Sequence, residues 1–217
     1  MYGSDIFTEP SPDPDTLANL GPLAPMAGVW EGQGLDTHPV ASGSKSEPYA
    51  ERYELQPIDP QTNGPQLFYG LRYHTHIVKP NEIETFHDQV GYWLWEPATT
   101  TVTYSLAIPR GQVVLAAGTA APDAATFEVT ATLGSSICGI LSNPFLDQAF
   151  RTRSYRMRVT IGADGTWSYE SESVLEVAGA PAPFAHVDRN TLTQVSPPMP
   201  NPLSAAQPAV SDGVRTA

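Results

Sequence analysis

The most chemically versatile side chains in this sequence are five histidines, His38, His74, His76, His87 and His186. His74-Thr75-His76 comes closest to a chelating pair, because positions i and i+2 share one face of a strand and two imidazoles can grip an ion there. The pair otherwise reads as partly exposed strand residues, and no metal ligand is assigned. No Gly-x-Ser-x-Gly elbow, phosphate-binding loop or dinucleotide fingerprint occurs, so hydrolase, nucleotide and nicotinamide chemistry lack a basis. No catalytic residue is assigned, and the chain reads first as a binding protein.

Two further groups bear on binding. In Gly28-Val29-Trp30-Glu31-Gly32-Gln33-Gly34, Trp30, Gly32 and Gly34 share one face. Bare backbone beside a large ring makes either a shelf for a flat ligand or a bent first strand whose Trp30 plugs a barrel end. Arg151, Arg153 and Tyr155 share a face with Met157, and Arg153-Ser154-Tyr155 could aim at a ligand carboxylate. A solvated arginine cluster at a rim is the competing reading.

These residues need elements to hold them, and the dominant hydrophobic period is two, the signature of strands. Phe127, Val129, Ala131 and Leu133 alternate with polar residues, as do Tyr155, Met157, Val159 and Ile161. Ala163-Asp164-Gly165 then signals a hairpin into Trp167. Other strands are predicted at 28–36, 47–56, 67–77, 83–95, 101–108, 112–118, 172–178 and 185–195. Short helices are expected only at 15–20 and after Asn143-Pro144. About ten strands without crossover helices predict an all-β fold, a closed antiparallel up-and-down barrel of the lipocalin or fatty-acid-binding-protein kind, with an interior cavity. Proline concentrates at both ends, so 1–19 and 197–217 read as tails around one domain at 20–196, and 1 to about 14 and about 198–217 are expected to contribute little to the core and to tolerate truncation.

Composition narrows the partners. A net charge of −12 over 217 residues opposes binding to nucleic acid or anionic membrane surfaces. The absence of a long apolar run and of a signal-like start predicts a cytoplasmic protein. The single cysteine, Cys138, fits a reducing compartment and reads as core filler.

On three motifs in order the sequence resembles the nitrobindins. They are Gly28-x-Trp30-x-Gly32-x-Gly34, Phe86-His87-Asp88-Gln89-Val90-Gly91-Tyr92, and Ile108-Pro109-Arg110-Gly111-Gln112-Val113-Val114. The resemblance implies a ten-stranded barrel that often forms homodimers. It also implies ferric heme b held by one axial histidine on the last strand, with nitric oxide binding or peroxynitrite isomerisation as its activity. Counting back from Val195, the family's axial histidine falls on Val187, which places Val187 inward and His186 outward; Val40 stands where the family has threonine beside the heme. The cofactor-binding set is then Trp30, Gly32, Gly34, Val40, His186 and Val187, with heme b possible and a small hydrophobic ligand the first expectation. The alternative is a heme enzyme with His186 as displaced ligand. The superfamily likeness further implies Arg189 reaching Trp30 for a cation–π contact.

Overall fold

The computed structural model describes residues 2–206. Twelve strands run in chain order: β1 (Gly28–Val40), β2 (Gly43–Pro57), β3 (Gln61–Asn63), β4 (Gln66–Val78), β5 (Thr85–Glu96) and β6 (Thr101–Ile108), then β7 (Gln112–Thr119), β8 (Thr126–Thr132), β9 (Ile140–Ser142), β10 (Phe150–Ile161), β11 (Trp167–Val177) and β12 (Phe184–Ser196). Ten of them close a ring in the order β2-β1-β12-β11-β10-β8-β7-β6-β5-β4, with β4 returning to β2, all antiparallel. Closure leaves none of the ten with a free edge. Strands β3 and β9 are short additions; β9 pairs with β7 at Gln112–Val114, beside the seam where β7 meets β8 at the single pair Ala117↔Thr130. The expected hairpin joins β10 to β11, with Gly165 at φ +82° and Asp164 Oδ1 accepting from the Thr166 amide. The separately predicted strands at 167–171 and 172–178 form one strand, β11.

The period-two pattern sorts side chains to the two faces. Inward go Tyr53, Leu71, Trp93, Tyr104, Val129, Val159, Trp167 and Leu192, all buried. Outward go four arginines set against carboxylates: Arg156 with Glu128 and Glu170, Arg158 with Glu128, Arg189 with Glu170, Arg52 with Glu31. Arg189 therefore lies on the face opposite Trp30, and the expected cation–π contact does not form.

One end of the ring is plugged. The one-turn helix α1 (Thr16–Asn19) leads into a 3₁₀ turn at Gly21–Met26, which seats Leu20, Leu23 and Met26 with no exposed surface in one core cluster with Trp30, Trp95 and Trp167. Gly21, at φ +53°, sits so close to Trp95 that a Cβ there would be 2.5 Å from the indole nitrogen. Trp30 Nε1 donates to the Met26 carbonyl at 2.8 Å, and its ring meets Trp167 edge-on at 6.2 Å.

The described parts of both tails dock, where the sequence led one to expect little contribution to the core. Thr16 and Asn201 are fully buried. Asn201 Oδ1 accepts from the Thr16 amide, and Nδ2 donates to the Pro14 carbonyl and to Asp59, so the two ends are tied to each other and to the β2–β3 connection. Tyr2 reaches Glu96, and Thr62 donates to Glu9. The short helix α3 (Pro202–Ala205) follows Asn201; the remainder of the expected C-terminal tail, 207–217, lies outside the described residues. Proline and polar composition hid this docking because a few specific hydrogen bonds carry it, not an apolar period. Cys138 is half-buried in the 134–139 turn at φ +57°, not in the core.

Candidate ligand cavity

Opposite the plug the barrel opens into a cavity of about 480 Å³, partly covered by helix α2 (Pro144–Ala149), whose Leu146 faces it. Asn143 caps α2 by accepting from the Leu146 amide at 2.9 Å, and Pro144 fits its first turn. The apolar lining includes Ile77, Leu106, Ile108, Val114, Met157 and Leu175. The polar lining falls into two walls and a cluster at the mouth.

Glu51 on β2 holds the first wall. Its Oε2 accepts from Tyr169 at 2.8 Å and from Asn190 Nδ2 at 2.6 Å, and Tyr49 stands 2.9 Å from Tyr169. The bare positions of β1 make room for this group: a Cβ on Gly34 would lie 2.3 Å from the Tyr49 ring, and one on Gly32 would lie 2.7 Å from Asn190 Oδ1. The shelf is thus occupied by the protein's own side chains, and Trp30 is the plug; Trp30, Gly32 and Gly34 face inward but do not line the cavity. On the second wall Gln89 Nε2 donates to Tyr73 and Tyr104, and Trp93 Nε1 donates to Tyr53. Two of the cavity-lining residues each hold a buried atom without a partner among the described residues, Glu51 Oε1 and Thr75 Oγ1.

Burial pushes the Glu51 carboxyl up to about 7 from its ordinary 4.5, against the smaller opposing pull of Tyr169 and Asn190. Folding therefore binds a proton that the unfolded chain releases earlier. The contribution of Glu51 is complete below pH 4.5 and falls as pH rises through about 7, by about 3 kcal/mol in all. Glu51→Gln should remove that loss. The stability difference between variant and parent, from urea titrations at pH 5 and pH 8, should shift by about 2.5 kcal/mol in favour of the variant, since part of the loss precedes pH 5; a difference constant with pH refutes a neutral buried Glu51.

At the mouth β1 and β12 bring Asp36 and Asp188 opposite one another. Asp36 is 4% exposed; His186 Nε2 donates to its Oδ1 at 2.7 Å and His38 Nδ1 to its Oδ2 at 2.5 Å. Asp188 Oδ2 lies 3.7 Å from His186 Nε2, and Ser171 donates to it at 3.4 Å. Burial raises Asp36, but the hydrogen bonds and charges of His186 and His38 outweigh it and hold this carboxyl low. Burial likewise lowers His186, and Asp36 and Asp188 reverse the effect and raise it. Asp188 is raised, chiefly by burial. Across the cavity, burial lowers the His87 imidazole below its ordinary value, and its Nε2 lies 3.3 Å from Gln89 Oε1.

The expected register on the last strand is reversed. His186, Asp188, Asn190 and Leu192 face inward, and Val187 is on the opposite face from the cavity-lining His186 and Asp188. The reason is local: Val29 pairs with Ser196 and Trp30 with Gln194, so Val195 is the extra residue of a bulge. A count starting at Val195 carries the wrong parity. Val40 ends β1 outside the cavity lining, while its neighbours His38 and Pro39 line it. Tyr155 lines the cavity, but a bulge between Thr152 and Ser154 turns Arg153 out to Glu176 at 2.8 Å, so the pair does not converge. His74 and His76 point outward to Asp88 and Thr85. Sequence reasoning missed Asp36, Glu51 and Asp188; their inward parity was the available signal, and the bulge obscured it for Asp188.

A closed ten-stranded barrel, plugged at one end and opening at the other into a cavity of mixed polarity, defines the class of small-molecule-binding β-barrels. Within that class, the family model of the THAP4-like, heme-binding beta-barrel domain matches residues 19–194. The chain belongs to this family, as its nitrobindin resemblance led one to expect. Its fold is similar to the crystal structure of Rv2717c from M. tuberculosis, with a TM-score of 0.57 and 20% identity, covering 82% of this chain and 97% of that one. No protein of curated description matches the sequence. No described helix is long and apolar enough to cross a membrane.

The family description names heme, and the donors at the mouth do not fit a histidine-ligated one. An iron held in a porphyrin plane offers the protein only its axial positions. His186 Nε2, the inward imidazole nitrogen of the last strand, sits between Asp36 and Asp188. Ligation would strand two inward carboxylates against a porphyrin that is itself anionic, with no lysine or arginine in ion-pair reach of either among the described residues.

Proposed function

We propose that this chain binds a small amphipathic molecule in its cavity without histidine-ligated heme. The observation that carries the reading is the pair of inward carboxylates, buried Asp36 and Asp188, set around His186 Nε2, which a porphyrin iron would leave uncompensated. The mixed lining supports an apolar body, and the unpartnered Glu51 Oε1 and Thr75 Oγ1 favour a ligand with hydrogen-bonding groups at the deep end. The second reading, a heme protein acting on nitric oxide or peroxynitrite, is favoured by two histidines that line the cavity, His186 and His87, and by the heme-binding family description.

Hemin titration separates the two. The parent should give no tight histidine-type Soret band, and His186→Ala, His87→Ala and Val187→His should leave the spectrum unchanged, the last because position 187 faces away from the cavity. A one-to-one histidine-type spectrum in the parent, abolished by either alanine variant, establishes the heme reading instead. The neutral dye Nile red tests the cavity itself: Leu106→Trp, which fills it, should abolish a saturable fluorescence gain. An unaltered gain refutes cavity binding.

A further inference from the structure

We propose that Asp36, His186 and Asp188 form a mononuclear site for a divalent first-row transition metal, with an open coordination position turned to the cavity. The three residues each offer one ligand atom, and these atoms lie within 4.8 Å of one another. The separations from His186 Nε2 are 2.7 Å to Asp36 and 3.7 Å to Asp188. Two ligands at about 2.1 Å from one ion are about 3.0–3.4 Å apart in octahedral or tetrahedral geometry, so the observed spacings bracket the required one. The Asp36 and Asp188 ligand atoms lie within 4.8 Å of one another, so side-chain rotation at the two aspartates brings the set onto a common centre.

Charge and support point the same way. Two inward carboxylates face each other across β1 and β12, and among the described residues their ionic partners are histidines only. A divalent cation balances two aspartates and a neutral imidazole, where a porphyrin iron would not. His38 donates to the second oxygen of Asp36 at 2.5 Å, and Ser171 donates to Asp188, which supplies the outer hydrogen bonds that orient metal-binding carboxylates. The ligands stand on paired strands of a closed ring, so their spacing is fixed by the ladder and not by a loop. One imidazole with two carboxylates selects zinc, cobalt, manganese or iron(II) over magnesium and calcium, which prefer all-oxygen sites. The cavity side of the site leaves room for a water or for a donor atom of a bound molecule.

This site lies beyond the cavity reading above, and its test uses no organic ligand, so zinc and Nile red results can fail independently. The full chain, stripped with a chelator, is titrated with zinc chloride by calorimetry and with cobalt(II) by visible absorption. One equivalent of zinc should bind, unaffected by millimolar magnesium, and raise the melting temperature. Asp188→Asn and His186→Gln should each weaken zinc binding at least tenfold, and Asp36→Asn likewise where circular dichroism shows it folded; the exterior His74→Gln should leave it unchanged. No saturable zinc binding by the parent, or binding insensitive to Asp188→Asn and His186→Gln, overturns the proposal. So does binding lost in His74→Gln.

Discussion

Asn201→Ala should lower the melting temperature by about 6–12 °C, although the residue lies outside the barrel strands. The side chain is fully buried and makes three hydrogen bonds, accepting from the Thr16 amide at 3.1 Å and donating to the Pro14 carbonyl and Asp59 Oδ1, each at 2.8 Å. Alanine leaves an amide and a carbonyl without partners in a buried seam, at a cost of about 3 kcal/mol. A domain of this size loses about 2–4 °C per kcal/mol. Asn201→Asp preserves only the acceptor and adds a carboxylate beside Asp59, so it should be no better. Scanning calorimetry decides the matter, and a shift below 2 °C for Asn201→Ala would show that the two ends of the chain are not tied.

Trp30→Ala should be as costly, and in a way that separates the plug from the site. Trp30 is 2% exposed, donates to the Met26 carbonyl and packs edge-on against Trp167. Truncating such a buried aromatic costs about 3–5 kcal/mol. Because the ring belongs to the closed end, zinc and Nile red binding should survive at temperatures where the variant is folded. Gly34→Ala should do the reverse. Its Cβ would lie 2.3 Å from the Tyr49 ring and 2.6 Å from the Arg189 carbonyl, and the backbone cannot give way. The expected cost is smaller, about 1–3 kcal/mol. Displacing Tyr49 should disturb its contact with Tyr169 and thereby the pH response of Glu51. If Trp30→Ala abolishes binding while Gly34→Ala leaves the pH response intact, the division into plug and polar wall is wrong.

The sequence by itself determined the barrel. Period-two alternation such as Phe127-Val129-Ala131 and Tyr155-Met157-Val159 is local information, and it fixed strand type, the inward residues of most strands and, through closure, the existence of a cavity. It also determined the inward face of Trp30, Gly32 and Gly34, since that parity needs no partner strand. What faces those glycines was decided only in three dimensions, because Tyr49 and Asn190 arrive from other strands. The docked ends were invisible for the same reason: Asn201 meets Thr16 across 185 residues through two polar atoms. Above all, the tertiary structure decided the chemistry of the mouth. The pairing of β12 with β1, in one register from Trp30↔Gln194 to Thr37↔Val187, turns His186 and Asp188 in and Val187 out and sets Asp188 against Asp36, while the bulge at Val195 lies beyond it and makes that residue a false anchor for counting. A bulge leaves no mark in the alternation of side chains, since what selects it is the fit of β12 against β1, and that fit exists only once the ring is closed.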